Sequence, residues 1–242
     1  MAAPALLISD LHLEESRPEL TAGFLRFLDR RAGACSSLFI LGDLFEAWIG
    51  DDDESALADS VAAGLHALSM SGVEVALMHG NRDFLIGEDF ARRCGARLMA
   101  ESEVFVSGSD GFLLMHGDSL CTDDTGYQQF RAQVRRPEWQ AQFLAQPLDA
   151  RRAFAAQARS QSRSATAAKS NAIMDVNDAA VLEAMRNAGV TQLIHGHTHR
   201  PATHRVTQLG GRAARTVLGD WGETGWCIAL SDGDARLEEF TL

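Results

Sequence analysis

Apolar residues fall in short runs along this chain, and each run closes in a turn that carries a polar side chain. Ala5–Ser9 leads into Asp10-Leu11-His12, Leu38–Leu41 into Gly42-Asp43, and Val73–Met78 into His79-Gly80-Asn81. Phe112–Met115 leads into His116-Gly117-Asp118, and Gln192–Ile194 into a stretch with His195, His197 and His199. Runs this short and this apolar predict strands buried on both faces. Between the first of them the spacing becomes helical. Phe24, Leu25, Phe27 and Leu28 mark Leu20–Arg31, and Leu57, Val61, Leu65 and Leu68 mark Ser55–Met70. Strand–helix alternation of this kind predicts an α/β core. Beyond Leu193 shorter strands around Thr203–Leu209, Ala213–Leu218 and Trp226–Leu230 follow one another through glycine-bearing turns. A mixed sheet, or two sheets packed together, is expected, and a wholly parallel barrel is not.

Tyr127–Asp175 breaks the pattern. It is rich in alanine and glutamine, poor in β-branched residues, and helical in spacing. Eight basic residues (Arg131, Arg135, Arg136, Arg151, Arg152, Arg159, Arg163 and Lys169) stand there against Glu138, Asp149 and Asp175. The segment is locally basic in a chain whose formal net charge is -11. A solvated helical hairpin would account for that as well as a binding element would.

The overall charge argues against a nucleic-acid binder, which normally carries a basic footprint. An acidic protein can still act on phosphates where cations are concentrated locally, and metal ions are one means. Cys35, Cys94, Cys121 and Cys227 are scattered without C-x-x-C spacing, which suits a reducing compartment better than a zinc knuckle or a disulfide framework. No basic leader precedes the first apolar run, and no run approaches bilayer-spanning length. A cytoplasmic protein is expected.

Taken singly, the strand-end residues have ordinary explanations. Asp10 could cap a helix, Asp43 or Asn81 could be a turn former, and His116 could be a buried hydrogen-bonding histidine. Five strand ends of the same design are harder to explain that way, because the carboxyl edge of an α/β sheet is where ligands bind. Asp10, His12, Asp43, Asn81, His116, His197 and His199 together offer two carboxylates, one amide oxygen and four imidazoles. This nitrogen–oxygen set without thiolate suits manganese, iron or zinc. It is too large for one catalytic ion with an open position, and it fits two ions sharing a carboxylate, the arrangement that clamps both oxygens of a phosphoryl displacement.

The motifs D-x-H (Asp10–His12), GD (Gly42-Asp43), GN (Gly80-Asn81), HGD (His116–Asp118) and GHTH (Gly196–His199) resemble, in order, those of the calcineurin-like metallophosphoesterases. The longer stretches LGDLFEAWIGDDD, HGNRDFLIG, LMHGDSLCTDD and LIHGHTHRP are similar to one branch of that superfamily. Its members cleave the pyrophosphate of an acylated UDP-sugar, UDP-2,3-diacylglucosamine, in lipid A synthesis. The resemblance runs over essentially the whole chain. It implies a four-layer αββα sandwich, two mixed sheets flanked by helices, forming a single domain over residues 1–242. A helical lid would be inserted at about residues 124–175.

The resemblance also implies two Mn2+ ions, with other divalent transition metals possible. One ion would be held by Asp10, His12, Asp43 and His199, and the other by Asp43, Asn81, His116 and His197, with Asp43 bridging. His195 falls outside this scheme as a supporting or packing residue. The implied reaction is attack of hydroxide, assisted by both metals, on the α-phosphorus, giving UMP and 2,3-diacylglucosamine 1-phosphate. Asp43, Asn81, Arg82, His116 and His197 would serve the chemistry. Asn81, Arg82, Asp124, Ser162, Thr166, Lys169 and His197 would contact the headgroup, and Trp139, Phe143, Leu144, Leu148 and Phe154 are candidate acyl contacts. Some relatives carry Asn where this chain has Thr166.

Many metallophosphoesterases read G-N-H where this chain reads GNRD. Arg82 cannot donate a proton at neutral pH, so the substitution favours a leaving group that needs none, such as a phosphate monoester with a second pKa of about 6. A surface arginine paired with Asp83 is the plainer reading of the same residue. Lys169 is the only lysine among 22 basic residues, which singles out its compact charge. Peripheral contact with the cytoplasmic face of the inner membrane is expected, through the lid or the lipid substrate, with no obligate protein partner. A nucleotide or cyclic-nucleotide phosphodiesterase using the same metals, and a non-catalytic scaffold of the same fold, are the alternatives.

Overall fold

The first apolar runs do form buried strands. The structure, a computed structural model, describes residues 3–168 and 175–242, and for residues 161–168 it describes only the course of the helix. β1 (Ala5–Ile8), β2 (Ser37–Leu41), β3 (Glu74–Met78) and β4 (Arg97–Leu98) lie parallel, and a C-terminal hairpin, β10 (Thr224–Ser231) and β11 (Asp234–Thr241), extends the sheet beside β1. The second sheet runs in the order β5 (Ser102–Ser107), β6 (Asp110–Met115), β7 (Gln192–His195), β9 (Ala214–Val217), β8 (Ala202–Arg205). Pairing of β6 with β7 and of β7 with β9 is parallel, while β5 and β8 pair antiparallel at the edges. Both sheets are mixed, as the pattern predicts.

Alternation along each strand builds the layers. Leu7, Phe39, Leu41 and Met78 on one sheet meet Phe112, Leu114 and Ile194 on the other, forming the core between the sheets. Leu6, Ile8, Leu38, Ile40, Val75 and Leu77 point the opposite way, toward α1 (Pro18–Arg30), α2 (Ala56–Met70) and α3 (Glu88–Cys94). On the far side Leu113, Met115 and Leu193 pack with Val181 and Met185 of α7 (Asp178–Ala188). The result is helix, sheet, sheet, helix. Ser55 caps α2 by accepting from Ala58 N at 3.1 Å, which ends the acidic loop before it.

The pattern-breaking segment folds as α4 (Thr125–Val134), α5 (Pro137–Leu144) and α6 (Leu148–Ala168). Asp124 caps α4, accepting from Tyr127 N at 3.1 Å. Arg151 ties α6 to the sandwich: it is 2% exposed, and its Nη1 donates to Ile49 O at 2.8 Å and to Asp52 Oδ1 at 2.7 Å, with Nη2 on Asp52 Oδ2. Helix α3, the short strand β4 and the edge strands β5, β8 and β11 carry no unbroken apolar run as long as that of β1. The half-exposed alternation of β5 and the shortness of α3 explain why.

Asp83 locks two of the polar turns together. Its buried carboxylate accepts from Gly80 N at 2.8 Å and Asp43 N at 3.2 Å through Oδ1, and from Leu44 N at 2.7 Å and Phe45 N at 3.4 Å through Oδ2. It is therefore a clamp between the ends of β2 and β3, and the pairing with Arg82 suggested by adjacency is not its role. His195, at the end of β7, is also fully buried: its Nδ1 sits 2.8 Å from Gly196 O, and its Nε2 faces Arg215 Nη1 at 3.2 Å. Burial first, and the Arg215 charge second, push its pKa down to about 3.

Two outcomes follow from these buried polar groups. Asp83→Asn turns one carboxylate oxygen into an amide nitrogen facing N–H donors; urea denaturation is expected to give a loss of about 2–3 kcal/mol, and an unchanged midpoint would contradict the clamp. His195 is neutral when folded but binds a proton below its ordinary pKa of 6.5 when unfolded. Stability is therefore intact above pH 6.5 and falls by about 1.4 kcal/mol per pH unit as pH drops toward the folded value of about 3. Replacing it in His195→Gln is expected to flatten that limb of the stability–pH curve relative to the parent, measured by denaturant titration between pH 4 and 8.

Candidate metal centre

Three of the five polar turns, those after β1, β2 and β7, place their side chains by adopting backbone that most residues avoid. Asp10, His12, Asp43, His197 and His199 all have positive φ, between 49° and 66°. For non-glycine residues this left-handed region is strained, and such residues cluster at functional sites. The turns also approach one another closely. A Cβ on Gly80 would lie 2.1 Å from Asp43 Oδ1, and one on Gly196 would lie 2.2 Å from Asp10 Oδ2 and from Ser9 Oγ. Only glycine fits at these two positions.

The seven strand-end residues converge. His12 Nε2 and His199 Nε2 lie 3.3 Å apart, and His199 Nε2 lies 3.4 Å from Asp10 Oδ1. On the other side one carboxamide oxygen, Asn81 Oδ1, meets His116 Nε2 at 3.0 Å and His197 Nδ1 at 2.8 Å. Asp43 Oδ2 sits between the two halves, 3.8 Å from both His12 Nε2 and His116 Nε2. Asp10, His12 and His199 bring one donor atom each within 4.8 Å of one another, and so do Asp10, Asp43 and His116.

The outer atoms of the donors are held from behind. His116 Nδ1 donates to Leu41 O at 2.9 Å, which turns Nε2 inward. His12 Nδ1 lies 2.9 Å from Glu46 Oε2 and His199 Nδ1 lies 3.6 Å from Asp220 Oδ2, ion-pair contacts without hydrogen-bond geometry. Asp10 Oδ2 accepts from Ser9 Oγ at 2.5 Å and from His197 N at 2.9 Å, whereas its buried Oδ1 has no hydrogen-bond partner among the described residues. An orphaned carboxylate oxygen beside inward imidazole nitrogens is what a divalent cation would satisfy. The donor set fits such an ion, and metal dependence is the property of the site.

The titrations express the same need for positive charge. Burial opposes ionisation of Asp10, but His199 and the charges of His116 and His12 hold its pKa far below the usual carboxylate range. Burial likewise works against protonation of His12, yet Glu46, Asp43 and Asp10 raise it to about 9. His116 and His199 move upward against burial for the same reason, the nearby carboxylates. His197 goes the other way, down to about 4, because burial and the neighbouring His116 both disfavour its cation. Protonated rings stand in for the charge that a bound metal supplies.

The centre opens into a cavity of about 760 Å³. His12, Asp43, Asn81, His197 and His199 line it, while Asp10 and His116 lie fully buried behind them. Arg82 and Asp124 line it too, and Arg82 Nε is buried without a hydrogen-bond partner among the described residues. Trp139, Phe143 and Phe154 form an apolar wall, but Leu144 and Leu148 stay outside: Leu144 is exposed at the surface, and Leu148 packs against the outer core. Ser162 and Thr166 belong to α6, whose side chains beyond Ser160 are outside the described residues, as is Lys169.

Sequence reasoning missed several participants. Glu46 and Asp83 follow Asp43 and Asn81 closely, yet nothing local distinguishes them from surface acids. Tyr127 stacks on His197 with ring centroids 6.0 Å apart, and its hydroxyl donates to Asp118 Oδ2 at 2.6 Å. Arg131 Nε donates to the same oxygen at 2.8 Å, and Arg135 Nη2 donates to Gly80 O at 2.7 Å. Asp118, the last residue of the HGD motif, thus gathers α4 onto the site.

The comparisons agree with this geometry. A Cellvibrio japonicus protein named UDP-2,3-diacylglucosamine hydrolase is 54% identical over 98% of this chain and 99% of its own length. A protein of that name from Chromohalobacter salexigens is 51% identical over 98% and 97%, and one from Escherichia coli O7:K1 is 51% identical over 97% and 98%. The family model for calcineurin-like phosphoesterases matches residues 3–201. That span takes in every donor from Asp10 to His199, and the chain belongs to the calcineurin-like phosphoesterase family.

Proposed function

We propose that this chain hydrolyses the pyrophosphate bond of UDP-2,3-diacylglucosamine, releasing UMP and 2,3-diacylglucosamine 1-phosphate, a step of lipid A biosynthesis. The observation that carries the reading is one cavity with two chemistries, a nitrogen–oxygen cluster in its floor and aromatic rings in its wall. A diphosphate with a nucleoside on one side and acyl chains on the other needs both. The full-length likeness to hydrolases of that name supports the same substrate.

Two Mn2+ ions are the proposed cofactors, one on Asp10, His12, Asp43 and His199, the other on Asp43, Asn81, His116 and His197. Such ions supply Lewis acidity, which polarises a phosphoryl oxygen and makes water a competent nucleophile near neutral pH. The chain's own part is positional. Asp43, between the two donor groups, keeps the halves together, and Asn81 and His197 border the place where the α-phosphate would lie. Water oxygen bonds to the α-phosphorus as the bond from that phosphorus to the bridging oxygen breaks. The departing sugar phosphate leaves as a dianion or monoanion and requires no proton donor, consistent with Arg82 at this position. Its guanidinium, with Nε unpartnered, can take a phosphate oxygen through charge-assisted hydrogen bonds.

The segment of about residues 124–175, which contains helices α4 to α6, would act as a lid over the acyl chains, with Trp139, Phe143 and Phe154 against them. Asp124, Ser162, Thr166 and Lys169 are assigned to the headgroup. No helix among the described residues is long and apolar enough to cross a membrane. The proposed location is cytoplasmic, with the acylated substrate drawn from the cytoplasmic face of the inner membrane by peripheral contact.

Manganese-dependent release of UMP from the acylated UDP-sugar is expected for the parent, and loss of at least about 10²–10³-fold in kcat for Asp43→Ala, a change of the size seen when charge-stabilising groups are removed. No UMP release by the parent at any manganese concentration would reject the assignment. In water enriched with oxygen-18, the label is expected in UMP; label in the lipid phosphate alone would place the attack on the other phosphorus.

A further inference from the structure

Glu46 stands where two parts of the molecule meet. The loop after β2 and the loop after β1 are zipped together by Leu13 N on Leu44 O at 2.9 Å and Glu46 N on Leu13 O at 3.1 Å. This zipper sets the Glu46 side chain beside His12. One carboxylate oxygen, Oε2, lies 2.9 Å from His12 Nδ1. The other, Oε1, lies 3.2 Å from Arg159 Nη2, which comes from α6 and lines the cavity. Glu14 Oε2 is a more distant neighbour of the same guanidinium, at 3.5 Å. Glu46 is only 19% exposed and Arg159 29%, so these pairs are better shielded than ordinary surface ion pairs.

We propose that Glu46 is a positioning residue with two loads: it orients the His12 ring for metal and it seats helix α6 over the cavity through Arg159. The proposal rests on the metal reading above. A carboxylate on the outer nitrogen of a ligating histidine fixes the ring and directs the other nitrogen inward. Here the same carboxylate spends its second oxygen on the lid. The other ion-pair anchors of α6 among the described residues, Arg151 on Asp52 and Arg152 on Asp53, pair with no donor of the metal centre. Roughly two helical turns separate Arg151 from Arg159, about 12 Å along the axis. Glu46 is thus the group through which His12 and helix α6 are joined.

The test uses the full chain, metal-free and with manganese, as parent, Glu46→Gln, Arg159→Gln and the double variant. Manganese affinity is measured by titration with free Mn2+ followed by its paramagnetic resonance, and lid seating by amide hydrogen exchange in α6 before Ser160. Glu46→Gln is expected to weaken manganese affinity ~10–100-fold and to speed exchange in α6. Arg159→Gln is expected to speed exchange in α6 at least to the same extent while leaving manganese affinity at the parental value. The double variant should exchange no faster than Arg159→Gln, since both substitutions remove the Glu46–Arg159 contact and Arg159→Gln also removes the one to Glu14. Unaltered thermal unfolding and circular dichroism of Glu46→Gln would exclude a general folding defect, and the exchange pattern of Arg159→Gln tests the lid half independently of it. Parental manganese affinity in Glu46→Gln, or additive exchange effects in the double variant, would overturn the proposal. A parent that binds no manganese would overturn the metal reading itself, a different result from a parent that binds it beside an equally avid Glu46→Gln.

Discussion

The structure depends on bringing separate strand ends closer together than side chains normally permit. Asp43 and Asn81 follow adjacent strands of one sheet, and His116 and His197 follow adjacent strands of the other. For their tips to meet, the turns must nearly touch, and they do so over Gly80 and Gly196, where a single methyl group would overlap a donor carboxylate. The cost is strain. Five of the donors sit at positive φ, each a local penalty of order 1–3 kcal/mol that the surrounding hydrogen bonds must outweigh. Asp83, with four backbone N–H groups on one carboxylate, contributes to that restraint.

The electrostatics follow from the same crowding. Two buried carboxylates, Asp10 and Asp43, cannot remain ionised in a low-dielectric interior without cations beside them. In the metal-free chain His12, His116 and His199 take that part for Asp10, and their upward shifts against the pull of burial record it, whereas burial still pushes Asp43 upward despite His116 and His12. His197 stays neutral because the positive places are already taken. The acidic balance of the whole chain is therefore compatible with phosphate chemistry. Cations gather at one place, and Arg82 and Arg159 extend the positive field up the cavity wall.

Three layers of support separate the donors from solvent and from disorder. Behind them lie carbonyls and carboxylates that fix ring orientation, and behind those lies the core between the sheets. In front lie α4 to α6, attached by charged contacts: Arg131 and Arg135 around Asp118, Arg151 on Asp52, and Arg159 on Glu46. The core between the sheets holds no lid residue, but the helix-side core takes in Phe143, with Trp139, Leu148 and Ala155 packed against it, so apolar contact joins the ion pairs in seating the lid. The locally basic composition of this segment, ambiguous in the sequence, thereby acquires a structural reason.

Much of this was legible in one dimension. Short apolar runs ended by Asp, Asn or His predicted the strands and the edge at which the donors gather, because burial on both faces and turn chemistry are local properties. Gly80 and Gly196 were visible as letters, but the contacts that demand glycine there arise only between strands distant in the chain. Asp83, Glu46 and Tyr127 were illegible as a group for the same reason, and Asp118 stood in a motif without a role: an acid or phenol has none until the fold decides which backbone N–H, imidazole or guanidinium it meets. The sequence determined which residues could be ligands and which segments could be strands. Tertiary structure alone decided which nitrogen of each histidine faces inward, which carboxylates brace the others, and where the lid rests, since each depends on distances between elements that no local pattern encodes.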